Sequence, residues 1–147
     1  VLKEMDANYQ KTKETLEAYG IRPTSQRLEM AHLILSANQH LTAEDVFHLV
    51  NTHFPHASRA TVFNNLKLFS EKGVIGTLDL KNGITLYDSN LDRHHHALNE
   101  ATGEIIDVYL DAETESKVHS LMKQELETKL GKNWKNSKLL ITLKGEC

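Results

Sequence analysis

The stretch whose reading decides the fold is "HASRATVFNNLKLFSEKGVIGTLDLKNGITLYD", residues 56–88. Its apolar period changes half-way. Ser58 stands where a helix N-cap is needed, Val62, Leu66 and Phe69 recur with helical spacing, and Gly73 supplies a stop. From Val74 the pattern alternates, and Asn82-Gly83 separates "VIGTLDL" from "ITLYD" in the way a hairpin turn does. A helix followed directly by a hairpin is the second half of a winged helix-turn-helix. On the helical wheel the inward stripe leaves Ala60, Asn64 and Lys67 on the opposite face, with Thr61 beside them. Such a face suits a major groove, where Asn can read adenine and Lys can meet phosphate or guanine. The same wheel would serve an ordinary amphipathic surface helix; the order of the elements favours DNA.

Upstream, Tyr9, Leu16 and Tyr19 repeat with helical spacing between Asp6 and Gly20, so a first helix is expected over 6–19. "PTSQRLEMAHLILSA" is a second, entered near Pro23 or Thr24. Thr42 with Asp45 three residues later resembles a capping box that opens a third, which ends before Pro55. Downstream, "HHHALN" and "EIIDVYL" read as strands around the turn "EATG". A helix follows from Asp111, with Val118, Leu121, Met122, Leu126 and Leu130 apolar, and "KLLITLKG" makes a last strand. This β-β-α-β layer is too small to be comfortable alone and should bury a face against a second copy of the chain. The expected class is therefore α+β: an N-terminal winged helix-turn-helix over 1–87, then a small α/β dimerisation domain over 88–147 with a hinge at 88–93.

Composition narrows the function. No run approaches the roughly 20 apolar residues that span a bilayer, and "VLKEMDANYQ" lacks a positive-then-apolar signal, so a cytoplasmic protein without a membrane partner is expected. Cys147 is the one cysteine, which rules out an internal disulfide framework and a four-cysteine zinc site within one chain. The net charge of −3 argues at first against nucleic acid. Its distribution is uneven: residues 20–76 carry five basic groups against four acidic, residues 77–147 nine against twelve. Eight of the nine histidines lie between 32 and 56 or in the run 94–96, so metal binding is tested residue by residue.

In "RHHHALNEATGEIID", residues 93–107, side chains two apart share a strand face, so His94 and His96 point one way and His95 the other. If Asn99 and Glu104 close the turn, paired residue numbers sum to 203 and His96 lies across from Asp107. His94, His96 and Asp107 then share one face, close enough to ligate one ion. Two imidazoles and a carboxylate suit Fe(II), Mn(II) or Zn(II). The plainer alternative is that Asp107 only accepts an imidazole hydrogen bond. His32, His48, His53, His56 and His119 have no such partners and read as surface or capping residues.

"HLTAEDVFHLVNTHFPHASRATVFNNLKLFSEKGVI" and the "HHHA" to "GEIID" segment, in that order and spacing, resemble the ferric uptake regulator family, and its peroxide-sensing repressors in particular. The resemblance runs over nearly the whole chain. It implies a homodimer on double-stranded operator DNA and an exchangeable ion, Fe(II) or Mn(II), with Zn(II) possible in purified protein. It also implies the ligands His40, Asp88, His94, His96 and Asp107. Aspartate rather than glutamate at 107 is, in the family, typical of peroxide sensors. The implied mechanism is iron-catalysed oxidation of a ligand histidine, His40 or His94, followed by release of DNA. The alternative within the class is an iron- or zinc-responsive regulator of uptake genes. A mononuclear metal enzyme is disfavoured by the DNA-reading helix and the lack of a nearby general base.

The expected DNA-binding set is Arg59, Thr61, Phe63, Asn64, Asn65 and Lys67. Phe63 stands where a Tyr is frequent, which removes a hydroxyl and leaves an apolar contact. Asn99 and Thr102 stand where relatives commonly hold a Cys-x-x-Cys pair, and only Cys147 matches a second pair, so no structural four-cysteine zinc is expected.

Overall fold

The computed structural model describes residues 2–37, 40–90 and 92–147, and the chain divides into two compact units, Val1–Leu91 and Asp92–Cys147. The first contains α1 (Leu2–Ala18), α2 (Ser25–Ala37), β1 (His40–Thr42), α3 (Ala43–His53), α4 (Arg59–Lys72), β2 (Gly76–Asp79) and β3 (Thr85–Asp88). Val62, Leu66 and Phe69 of α4 are buried with Leu16, Met30, Ile34, Val46 and Val50 from the other helices. Each large apolar side chain so buried contributes about 1.5–3 kcal/mol, so this stripe fixes which face of α4 looks outward.

The helix ends follow local chemistry. Thr42 caps α3, its hydroxyl accepting the Asp45 N–H at 3.1 Å while the Asp45 carboxylate accepts the Thr42 N–H at 3.0 Å. Ser58 caps α4 by accepting the Thr61 N–H at 3.1 Å, and Gly73 ends it at φ 85°, where a side chain would be strained. The Asn82-Gly83 turn joins β2 and β3 as an antiparallel pair. One element was not expected: β1 pairs with the other edge of β3, giving the order β1-β3-β2. Three residues are too few to show an alternating pattern.

The second unit contains β4 (His95–Asn99), β5 (Ile105–Val108), α5 (Ala112–Leu130) and β6 (Thr142–Gly145), with strand order β5-β4-β6. β4 runs antiparallel to β5 with His96 opposite Asp107, the register set by the sum of 203. β6 is parallel to β4, so α5 is its crossover. The β4–β5 turn is closed by its own hydrogen bonds. The Asn99 carbonyl accepts the Gly103 N–H at 2.7 Å, the Asn99 side chain the Ala101 N–H at 3.0 Å, and the Thr102 hydroxyl the Glu104 N–H at 3.2 Å. Burial is sparse. Leu98 and Leu139 are its buried large apolar residues among those described, whereas Ile106, Leu121, Met122, Leu130, Leu140 and Leu143 are exposed.

Candidate metal centre and nucleic-acid interface

In the second unit three donor atoms converge at the start of the β4–β5 ladder. His94 Nε2 and His96 Nε2 are 3.2 Å apart, and Asp107 Oδ1 lies 3.7 Å from the first and 3.5 Å from the second. Atoms that share one first-row ion at roughly 2.0–2.2 Å stand about 3 Å apart, so a small closure would fit this set to such an ion. His94 is oriented from behind. Its Nδ1 is 2.6 Å from the Asp92 carbonyl, which can only accept, so Nδ1 carries the hydrogen and Nε2 offers its lone pair to the site. The Tyr109 ring flanks His94 at 5.8 Å.

In the first unit the β1–β3 register sets His40 opposite Asp88, with His40 Nε2 3.4 Å from Asp88 Oδ2. Asp88 is buried, and its Oδ1 accepts the Asn90 N–H at 2.9 Å. Asp88 is the last residue of β3, and the two units divide at 91/92.

On α4, Ala60, Asn64 and Lys67 are exposed and Thr61 is half-buried. Lys67 makes an i,i+4 pair with Glu71 at 3.8 Å. Two members of the expected DNA-binding set are held otherwise. Asn65 is a correction: it is buried, accepts the Arg27 Nε–H at 3.4 Å, and its amide nitrogen approaches Met30 Sδ at 3.5 Å, so it faces the core. Arg59 is exposed but engaged, paired with the Glu44 carboxylate and lying over the rings of Phe47 and Phe63 at 4.5 and 5.6 Å.

The description of the ferric uptake regulator family fits residues 18–134 of this sequence. The chain belongs to the ferric uptake regulator family. It is a metal-responsive transcriptional regulator and not an enzyme. A peroxide-responsive repressor of Staphylococcus epidermidis is 29% identical over 108 residues, covering 74% of this chain and 72% of that one. The peroxide operon regulator of Bacillus subtilis is 34% identical over 96 residues, covering 65% and 66%. The iron-containing structure of the ferric uptake regulator from Francisella tularensis superposes with a TM-score of 0.67 at 24% identity, covering 87% of this chain and 92% of that one, which establishes the shared fold.

For this family member the residues missed by sequence reasoning are partners of recognised ones. Glu44 and Phe47 hold Arg59, and Glu115 binds the buried His95 at 2.6 Å. Each contact joins two different elements, so no local pattern marks it. His32 stacks on Tyr9 at 4.3 Å and His119 meets Ser137 Oγ at 2.7 Å, which gives both histidines packing roles.

Proposed function

We propose that this protein is a metal-dependent repressor that binds operator DNA as a homodimer and senses hydrogen peroxide through oxidation of a ligand histidine, releasing DNA. The observation that carries the reading is the convergence of His94, His96 and Asp107 on one point, with the carboxylate supplied by aspartate. In this reading His40, Asp88, His94, His96 and Asp107 are the ligands of one ion. Five ligands leave one position open on a six-coordinate metal, which is room for a peroxide. When bound there, Fe(II) would activate peroxide, so that one of its oxygens is added to a nearby imidazole, which is oxidised by two electrons overall, while the other oxygen leaves as water.

The chain's own residues decide the rest. Asp92 holds the His94 ring with Nε2 toward the site, and Asp88 and Asp107 bring the negative charge that a divalent cation requires. An ion held by that set would favour one form of the dimer, and with it one spacing of the two recognition helices; half-sites one turn apart demand about 34–36 Å. To swing that equilibrium from 1:99 to 99:1, the ion must favour one form by about 5.5 kcal/mol. Asn64 and Lys67 stand on the exposed face of α4 for base and phosphate contact. The names of the Staphylococcus epidermidis and Bacillus subtilis relatives support peroxide as the signal.

The test uses duplexes enriched from a randomised pool by the Mn(II)-loaded protein. The Fe(II)-loaded protein is bound to them anaerobically, pulsed with peroxide, and digested for peptide mass analysis. DNA release with a one-oxygen gain on His40 or His94 is expected, and no change with Mn(II). Retention of DNA by the iron form with neither histidine altered would instead indicate a regulator tuned by iron or zinc concentration.

A further inference from the structure

His95 sits between two proposed ligands and does something different from either. Its ring is buried at 3% exposure on the opposite face of β4, and Glu115, in the first turn of α5, is buried with it at 7%. Glu115 Oε2 is 2.6 Å from His95 Nε2, and the Ile141 N–H donates to His95 Nδ1 at 3.0 Å. Because Nδ1 accepts, Nε2 must carry the hydrogen that it gives to the carboxylate, so both ring nitrogens are committed. Arg93 Nε, 4.0 Å from Glu115 Oε1, balances the buried charge.

Ile141 carries the constraint onward. Its N–H is held by the His95 ring, and its carbonyl accepts the main-chain N–H of His96 at 3.0 Å. A continuous set of hydrogen bonds therefore runs from α5 through Glu115, His95 and Ile141 to the backbone of a proposed ligand. Pinning the ring of the middle residue also fixes how the strand is rolled about its axis, and hence where the residues on either side direct their imidazoles.

We propose that His95 is the positioning residue of the metal centre: locked by Glu115 and Ile141, it sets the backbone of β4 so that the His94 and His96 nitrogens stand ready for one ion. This rests on the reading of His94, His96 and Asp107 as ligands. Partners that orient ligands without touching a metal typically change affinity 10- to 100-fold when lost, and that is the effect expected here.

The experiment compares Mn(II) affinity, by electron paramagnetic resonance titration, with the melting temperature of the metal-free protein. The decisive variant is the double substitution His95→Phe with Glu115→Leu, which removes both members of the buried polar pair; the Ile141 N–H loses its acceptor, so a modest fall in melting temperature accompanies it. Affinity at least tenfold weaker, measured well below that melting temperature, is the expected result. Glu115→Gln, which keeps an acceptor for Nε2–H, should restore affinity to within about threefold of wild type. Wild-type affinity in the double variant overturns the proposal, as does a loss of affinity that only follows a loss of stability. Should the double variant not fold, Glu115→Met, measured well below its melting temperature, is read by the same criteria. If wild-type protein takes up no Mn(II), or Asp107→Ala leaves uptake unchanged, the ligand reading itself fails and the positioning role falls with it.

Discussion

The guanidinium of Arg59 is paired with the Glu44 carboxylate and lies 4.5 Å from the centre of the Phe47 ring. A residue at the first turn of the proposed recognition helix is thus already occupied by an anion that a DNA phosphate would have to replace. Both side chains are about half exposed, at 52% and 55%, so the pair is worth roughly 0–1 kcal/mol. Glu44→Gln should tighten DNA binding by up to about fivefold, and the gain should vanish in an Arg59→Gln background. Fluorescence anisotropy on the four proteins of this cycle decides the matter: an equal gain in both backgrounds means a general charge effect and not release of Arg59.

Asn64 and Asn65 are neighbours with opposite surroundings. Asn64→Ala should weaken specific DNA binding by about 1–3 kcal/mol with little change in melting temperature. Asn65→Ala should lower stability by about 1 kcal/mol, since it leaves the Arg27 Nε–H without its acceptor while the bond from Arg27 to the Arg22 carbonyl remains. Urea melts and DNA titrations on the two variants should show this crossed pattern. A loss of DNA affinity without a loss of stability in Asn65→Ala would return that residue to the DNA-reading face.

Removing one carboxylate from the donor set should be costly. Asp107→Ala is expected to lower Mn(II) affinity at least about tenfold, measured by competition with a fluorescent chelator. Chelation of the wild type with EDTA should release it from DNA, and added Mn(II) should restore binding. Binding that persists in excess EDTA would mean that metal does not select the DNA-binding form.

Asp45 titrates below the usual carboxylate range because it accepts the Thr42 N–H and, secondarily, interacts with the Thr42 hydroxyl. A depressed folded-state value means that this capping contribution is complete above the unfolded value of about 3.9 and is lost as pH falls through the folded one. At pH 7, Asp45→Ala should be less stable than wild type by well under 1 kcal/mol, given its exposure. Urea melts in steps from pH 7 to pH 3 should show that difference shrinking only toward the acid end. A constant difference would place its origin elsewhere.

Leu140 and Leu143 are 71% and 70% exposed beside β4, in a unit with little buried apolar surface. Patches of this kind mark association surfaces. Leu143→Asp should weaken self-association by at least tenfold, about 1.4 kcal/mol, as read by sedimentation equilibrium. An unchanged dimer would place the interface on another face.

The legibility of the sequence follows the range of each interaction. The α4 stripe, the Ser58 and Thr42 caps and the Asn82-Gly83 hairpin are encoded within a few residues of themselves, and all appear where the pattern puts them. The His96–Asp107 register was legible because a tight turn fixes the partner of every residue beside it. By contrast, β1 is recognisable only through its pairing with β3, and Glu115 only through its contact with His95, twenty positions earlier. Asn65 was misassigned for a related reason. A polar side chain adjacent to the exposed face is turned inward by Arg27, a partner that lies on α2.

The parallel pairing of β6 with β4 has a kinetic corollary. His96 is matched with Thr142 across 46 positions, whereas the β2–β3 hairpin closes within about a dozen. Contacts that enclose longer loops form later, because the entropy of closure is lost before pairing is gained. During folding the β2–β3 and β4–β5 hairpins should form ahead of the docking of β6 beside β4. A chain in transit would then hold its imidazoles loosely, with the last strand as the slow step in assembling them.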